Sequence, residues 1–219
     1  MKNLHAAAVL LLFACGMATG SAAELHVLVK DHHGKRVADA VVLATPLDPK
    51  SALRTKPPLD AIDQVDKQFV PYVKPVFVGS KVRFPNSDHI RHQVYSFSPA
   101  RKFELPLYGG TDALPVVFDK PGVVVLGCNI HDWMVGYIYV SATPFFAKTE
   151  AAGTAALQDL PPGDYSVRLW HPSMEEAEEA TTRLVTVNAE GPALLELELS
   201  LKPGFRVPRV SGAASPGYP

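Results

Sequence analysis

The feature that most constrains this chain is its punctuation. Its 219 residues include 20 prolines and 15 glycines, spread along most of the length. Breaks at that density make many turns and leave little room for long helices. Between the breaks, short apolar runs alternate with polar residues, the period of a half-buried strand. Residues 25–30 (LHVLVK) and 36–44 (RVADAVVLA) read as strands around the turn Asp31-His32-His33-Gly34. Residues 46–60 hold four prolines and little periodicity, so they read as a linker. A second block opens near Asp63. Phe69, Tyr72, Val76 and Val78 read as extended, with Pro71 and Pro75 confining them to a sheet edge. Val82 with Phe84, His92 to Phe97, Val116 to Phe118, Val123 to Leu126 and Gly136 to Val140 follow as strands. Pro85-Asn86-Ser87-Asp88, Tyr108-Gly109-Gly110 and Lys120-Pro121-Gly122 read as turns or loops. In a third block, Tyr165 to Trp170, Arg183 to Val187 and Leu194 to Leu201 are expected strands. The acidic run Glu175 to Glu179 reads as a solvated turn or helical stub. Residues 203–219, rich in Pro, Gly and Ser, read as a disordered tail. The expected fold class is all-β.

The first 23 residues read as a signal peptide. Lys2 supplies the positive end, residues 6–14 (AAAVLLLFA) the apolar core, and Ser21-Ala22-Ala23 a small-residue cleavage site before Glu24. That apolar core is short for a bilayer span, and no later segment is apolar for long enough. The mature chain is therefore expected to be soluble and periplasmic, or otherwise extracytoplasmic. A net charge of −1 gives neither a nucleic-acid footprint nor a polybasic membrane patch. Two cysteines are present, and Cys15 lies in the leader. Leu12-Phe13-Ala14-Cys15-Gly16 loosely resembles a bacterial lipobox, which would make Cys15 a lipid anchor and change nothing downstream. Cleavage after Ala23 leaves Cys128 alone. An unpaired cysteine in an oxidising compartment calls for a chemical reason.

The reason lies in its surroundings. Cys128, His131 and Met134 stand at Cys-x-x-His-x-x-Met spacing in one loop between two expected strands. A thiolate is a strong soft donor, imidazole an intermediate one, and a thioether a weak one. Two imidazoles and a thiolate with a weak thioether suit both oxidation states of copper. One more histidine is then needed. His92 opens an alternating strand that can anchor its ring, whereas His89 sits in the preceding turn beside Asp88, so His92 is preferred. Taken singly, a cysteine, a methionine or a histidine is most simply a packing or surface residue. The joint spacing in one loop argues otherwise.

Residues 64–140 resemble the cupredoxins, the plastocyanin, pseudoazurin and amicyanin family. Phe84-Pro85-Asn86-Ser87-Asp88 with His92-Gln93-Val94, Phe118-Asp119-Lys120-Pro121-Gly122, and Cys128 through Met134 with Gly136, Ile138 and Val140 carry the resemblance. The short Cys-x-x-His-x-x-Met loop is amicyanin-like, and the chain looks most like cupredoxin-domain proteins labelled as methylamine-utilisation proteins. The resemblance implies a Greek-key sandwich holding one type 1 copper on His92, Cys128, His131 and Met134. It also implies an exposed His131, with Ile130 and Trp133 beside it as an apolar docking rim for a redox protein. Two departures stand out. Gln93 replaces the asparagine that ties the two ligand loops together in relatives, leaving Asn86 or Asn129 to substitute. Ile130 stands where a proline often precedes the second histidine.

The flanks resemble a carboxypeptidase-regulatory-like or transthyretin-like sandwich. Residues 25–31 with Gly34, Ala40, Val41 and Val42 look like its start, and Gly153 with Leu160 through Tyr165 and Val167 like its later half. Neither half has enough strands for its own core. The expectation is one Ig-like domain made of 24–50 and 143–201, with the cupredoxin, 64–142, inserted in it or flanked by it. The leading function is an exported one-electron carrier; the alternative is copper binding or delivery without electron transfer. An enzyme is not expected. A multicopper oxidase needs further histidines beside the cysteine, where Gly127 and Asn129 stand, and a binuclear copper loop needs two cysteines. His32, His33 and His171 read as turn or strand-end residues.

Overall fold

Strand pairing follows from which side of each strand is apolar, and in most of this chain that side is unambiguous. A computed structural model describes residues 23–49, 57–110 and 114–203. The leader with Cys15, the middle of the 46–60 linker and nearly all of the 203–219 tail lie outside the described residues. Among the described residues every element is a strand apart from one four-residue 3₁₀ helix, and the fold is all-β.

The first strand, β1 (Ala23–Asp31), turns Leu25, Val27 and Val29 inward. It finds both its partners at the far end of the chain. It pairs antiparallel with β14 (Thr154–Leu160) and parallel with β17 (Ala193–Leu199). The opposing sheet runs in the order β13 (Phe145–Lys148), β2 (Val41–Pro46), β15 (Gly163–Trp170), β16 (Arg183–Val187). Between the two sheets lies one apolar core that includes Leu25, Val29, Val42, Leu157, Tyr165, Val167 and Leu197. The strand expected over 36–44 is shorter at its start. Arg36 makes only an isolated bridge to Lys30, and Asp39 adopts a left-handed φ of 60°, so regular pairing begins at Val41.

Residues 59–141 build the second pair of sheets. Five strands run in the order β6 (Val73–Phe77), β12 (Val135–Ser141), β11 (Gly122–Gly127), β8 (His92–Ser98), β9 (Arg101–Tyr108). Pro75 and Pro106 thus sit on the two edge strands, where a missing N–H costs no ladder bond. Three strands oppose them: β10 (Val116–Phe118), β7 (Ser80–Arg83) and β3 (Leu59–Ala61). The expected linker therefore ends in a strand. Tyr108, expected in a loop, is the last residue of β9. A hairpin, β4 (Asp63–Val65) with β5 (Gln68–Val70), closes one end. Phe84, Val94, Phe118, Leu126, Cys128, Met134 and Ile138 share the second core.

A third, smaller cluster joins the two. In β2, Val42 and Ala44 face the first core while Val41 and Leu43 face outward; in β12, Ile138 faces the second core while Tyr139 faces outward. The outward residues meet each other, with Trp170 and Val73 between them. The Trp170 ring lies tilted at 5.9 Å from that of Tyr137 and 5.4 Å from that of Tyr139. The acidic run ends in a helical stub, as expected, but Glu178 is drawn inward. A short 3₁₀ helix, Glu178–Thr181, brings Glu178 against this cluster, and the Tyr139 hydroxyl donates to both its carboxylate oxygens at 2.8 and 2.9 Å.

Candidate metal centre

Period-2 geometry carries two of the key side chains inward. His92 is the first residue of β8 and faces the same side as Val94 and Ser96, so its ring is fully buried. Cys128 extends the inward register of Val124 and Leu126 one step past β11. From there a tight loop returns the chain to β12. The Met134 amide donates to the His131 carbonyl at 2.9 Å, and the Val135 amide to the Trp133 carbonyl at 3.1 Å. That turn buries Met134 in the core beside Cys128 and leaves His131 half-buried.

Three donor atoms converge. The Cys128 Sγ lies 3.7 Å from His92 Nδ1 and 3.9 Å from His131 Nδ1, and all three atoms fall within 4.8 Å of one another. A thiolate bond of about 2.3 Å and an imidazole bond of about 2.0 Å, set at 120°, span about 3.7 Å. The two sulfur–nitrogen distances therefore match those of donors sharing one ion. Among the described residues the cluster is the one such group of three. Met134 supplies a buried thioether at the end of the same loop. His89 is exposed and outside the cluster.

The electrostatics favour a deprotonated sulfur. Burial raises the Cys128 pKa, but His92 and then the backbone amides of Gln93 and Ile130 outweigh it and hold the thiol below its ordinary value. Burial likewise works against a charged His92, but Cys128 and Asp88 overcome it and raise the imidazole pKa. His92 donates through Nε2 to Asp88 Oδ2 at 2.7 Å, which leaves Nδ1 facing the sulfur.

The polar residues around the donors have definite partners. Asn86 is buried in the chain that leads to His92. Its Nδ2 donates to the carbonyls of Ile90 and Tyr108, and its Oδ1 accepts from the Asp88 amide at 3.0 Å, which shapes the chain leading to His92. The Gln93 side chain donates to Glu104 Oε1 at 2.6 Å, away from the loop, while its backbone amide serves Cys128. Asn129 is exposed. Ile130 is 49% exposed, and the Trp133 ring lies 5.3 Å from that of His131. Asp88, which the sequence shows as a turn residue, carries the contact to His92, and an acid four residues before a buried histidine is a readable signal of it. His171 accepts from the Ser173 amide, and His32 lies beside Glu198 and Ser200, so neither is bare of partners.

Two glycines bracket the loop. A Cβ on Gly127 would lie 2.7 Å from the Tyr95 ring, and one on Gly136 would lie 2.8 Å from the Phe69 Cβ. The close approach of those neighbours leaves no room for a side chain at either end.

No protein-family model and no curated protein matches the chain. Among solved structures, it is similar to a copper-containing nitrite reductase from Thermus scotoductus, at 28% identity over 44% of this chain and 27% of that one, TM-score 0.37. It is similar to a purple cupredoxin from Nitrosopumilus maritimus, at 26% identity over 37% of this chain and 96% of that one, TM-score 0.33. It is also similar to an amicyanin variant in its reduced Cu(I) form, at 20% identity over 45% of this chain and 98% of that one, TM-score 0.35.

Proposed function

We propose that this chain is an exported type 1 copper protein that carries single electrons between redox partners. The observation that carries the reading is the meeting of His92 Nδ1, Cys128 Sγ and His131 Nδ1 within 4.8 Å, on a loop that ends in the buried Met134. In this reading the first three are the strong ligands and Met134 the weak fourth. Copper bound there supplies a couple that gains and loses one electron with little rearrangement. The chain's own residues provide the rest. β8, β11 and β12 anchor three of the donors at strand ends, and the core around Cys128 and Met134 keeps water out. His131 reaches toward solvent beside the exposed Ile130, the natural exit for an electron. An apolar rim of that kind suits brief docking with a redox protein, because a small interface releases quickly.

Two further elements belong to the proposal. The leader and the unpaired Cys128 support a periplasmic or other extracytoplasmic location, with Cys15 the candidate lipid anchor if it is retained. The pairing of β1 and β2 with strands beyond residue 144 supports a host sandwich, 24–50 with 143–201, into which the copper unit, 64–142, is inserted.

Copper titration of the mature protein tests the reading. One equivalent of Cu(II) is expected to give an intense visible thiolate-to-copper band that bleaches and returns with reductant and oxidant. Cys128→Ser is expected to abolish the band. A colourless protein that binds Cu(I) and hands it to an acceptor would replace electron transfer with copper delivery.

A further inference from the structure

Outside the donor set, one carboxylate has more partners than a turn requires. Asp88 Oδ1 accepts the Asp66 amide at 2.7 Å, and Oδ2 accepts the Lys67 amide at 2.8 Å. Those two residues form the tip of the β4–β5 hairpin. Both are non-glycine residues in the left-handed region, at φ 51° and 56°, a conformation that L residues adopt at a cost. So far Asp88 is a clamp on a strained turn. The same Oδ2 also accepts from the buried His92 Nε2 at 2.7 Å. A turn clamp does not need that third bond.

We propose that Asp88 is a positioning residue for the metal centre: its carboxylate holds the His92 ring with hydrogen on Nε2 and ties that ring to the β4–β5 hairpin. The orientation follows from the hydrogen-bond inventory. A carboxylate only accepts, so the nitrogen facing it must carry the hydrogen, and Nδ1 is left to face Cys128. A carboxylate on the far nitrogen also makes the imidazole a richer donor, which favours the more highly charged state of a bound metal.

The hairpin is well placed to hold the clamp. Ser87 donates to Asp63 through its amide at 3.2 Å and its hydroxyl at 2.7 Å, which zips the loop before His92 to β4. At the other strand, Phe69 packs directly on Gly136, two residues after Met134. One hairpin thus touches the chain before His92 and the chain after Met134. A shift of its tip would reach the ring of His92 through a single carboxylate. The metal-dependent part of the proposal rests on the copper reading above; the tautomer and its tether do not.

Asp88→Asn tests it. Because the variant releases a strained turn, it is best made with Asp66→Asn and Lys67→Gly, the residue pair that favours such turns without help. The parent with only the two turn changes is the reference. In the metal-free protein, the His92 Nε2 proton is expected as a slowly exchanging signal by NMR, and Asp88→Asn is expected to speed its exchange at least tenfold. In the copper-loaded protein, the variant is expected to favour Cu(I) over Cu(II) about tenfold more than the parent, a rise of about 59 mV for a one-electron couple. If the His92 proton and the potential both stay unchanged while the turn amides exchange faster, Asp88 only caps the turn and the proposal is overturned. A parent that binds no copper sinks the copper reading, while the proton exchange still decides the tether.

Discussion

At the scale of single residues, Cys128 combines two roles that ordinarily conflict. It packs as a small apolar group in the second core, yet its sulfur faces His92 and two backbone amides that favour the thiolate. Met134 is equally deep and makes the next test. Leucine has nearly its volume and lacks the thioether, so Met134→Leu should cost less than about 1.5 kcal/mol of metal-free stability. The same change should alter the visible spectrum and the potential of the copper-loaded protein, because the proposed site loses its weak donor. A thermal melt read beside a redox titration checks both halves. Glu178 yields a pH prediction. Burial, against the pull of Tyr139 and Arg168, raises its pKa above 4.5 in the folded protein. The folded state then holds that proton longer than the unfolded chain does. This contribution to stability is complete below pH 4.5 and is lost as pH rises through the folded value. Glu178→Gln should remove that slope. Its stability relative to the parent should be greatest near neutral pH and shrink as the pH is lowered, as urea titrations across the range would show.

At the scale of elements, the loop from Cys128 to Met134 depends on what its flanking strands exclude. Gly136 lies against the Phe69 Cβ, an atom that cannot swing away, so Gly136→Ala forces β5 and β12 apart. Overpacking of this kind costs about 1–3 kcal/mol. Chemical denaturation should report that loss, and the copper spectrum should broaden with it, since Met134 is two residues away. The same scale shows why some elements were hard to read. β11 and β12 announce themselves by unbroken apolar runs, Val123 to Leu126 and Tyr137 to Val140. β9 alternates, with Phe103 and Leu105 against Lys102 and Glu104, but Pro106 interrupts the run and the apolar residues are only half-buried. β4 and β5 are three residues each, too short for a period to register. Asp88 holds their turn from outside the hairpin, and Asp63, at the start of β4, ties the hairpin to Ser87.

At the scale of the whole molecule, the third apolar cluster makes two sandwiches into one body. Trp170 is its centre, in contact with Tyr137 and Tyr139 across the junction. Removing so large a buried ring costs about 3–5 kcal/mol. Trp170→Ala should therefore destabilise the protein by that order. Hydrogen exchange should also rise along β2, β6 and β12 more than around Cys128, because the second core does not include Trp170.

What the sequence determined alone is whatever is local. The alternation made the chain all-β, and the loop spacing brought Cys128, His131 and Met134 into one turn, since three residues per step leave little freedom between two strands. His92 was legible because a strand's first inward position faces the core, and His89 has no such anchor. Only the tertiary structure decided what is distant. The pairing of β1 with β17 spans most of the chain, and nothing in either strand names the other. The burial of both faces of β2, written as Val41-Val42-Leu43-Ala44, marks a strand with two neighbours but not which two. Asp88 is the clearest case. Its carboxylate joins two turn amides and one histidine that fall together only after β4, β5 and β8 have each found their places, and hydrogen bonds of that kind depend on three-dimensional position rather than on order along the chain.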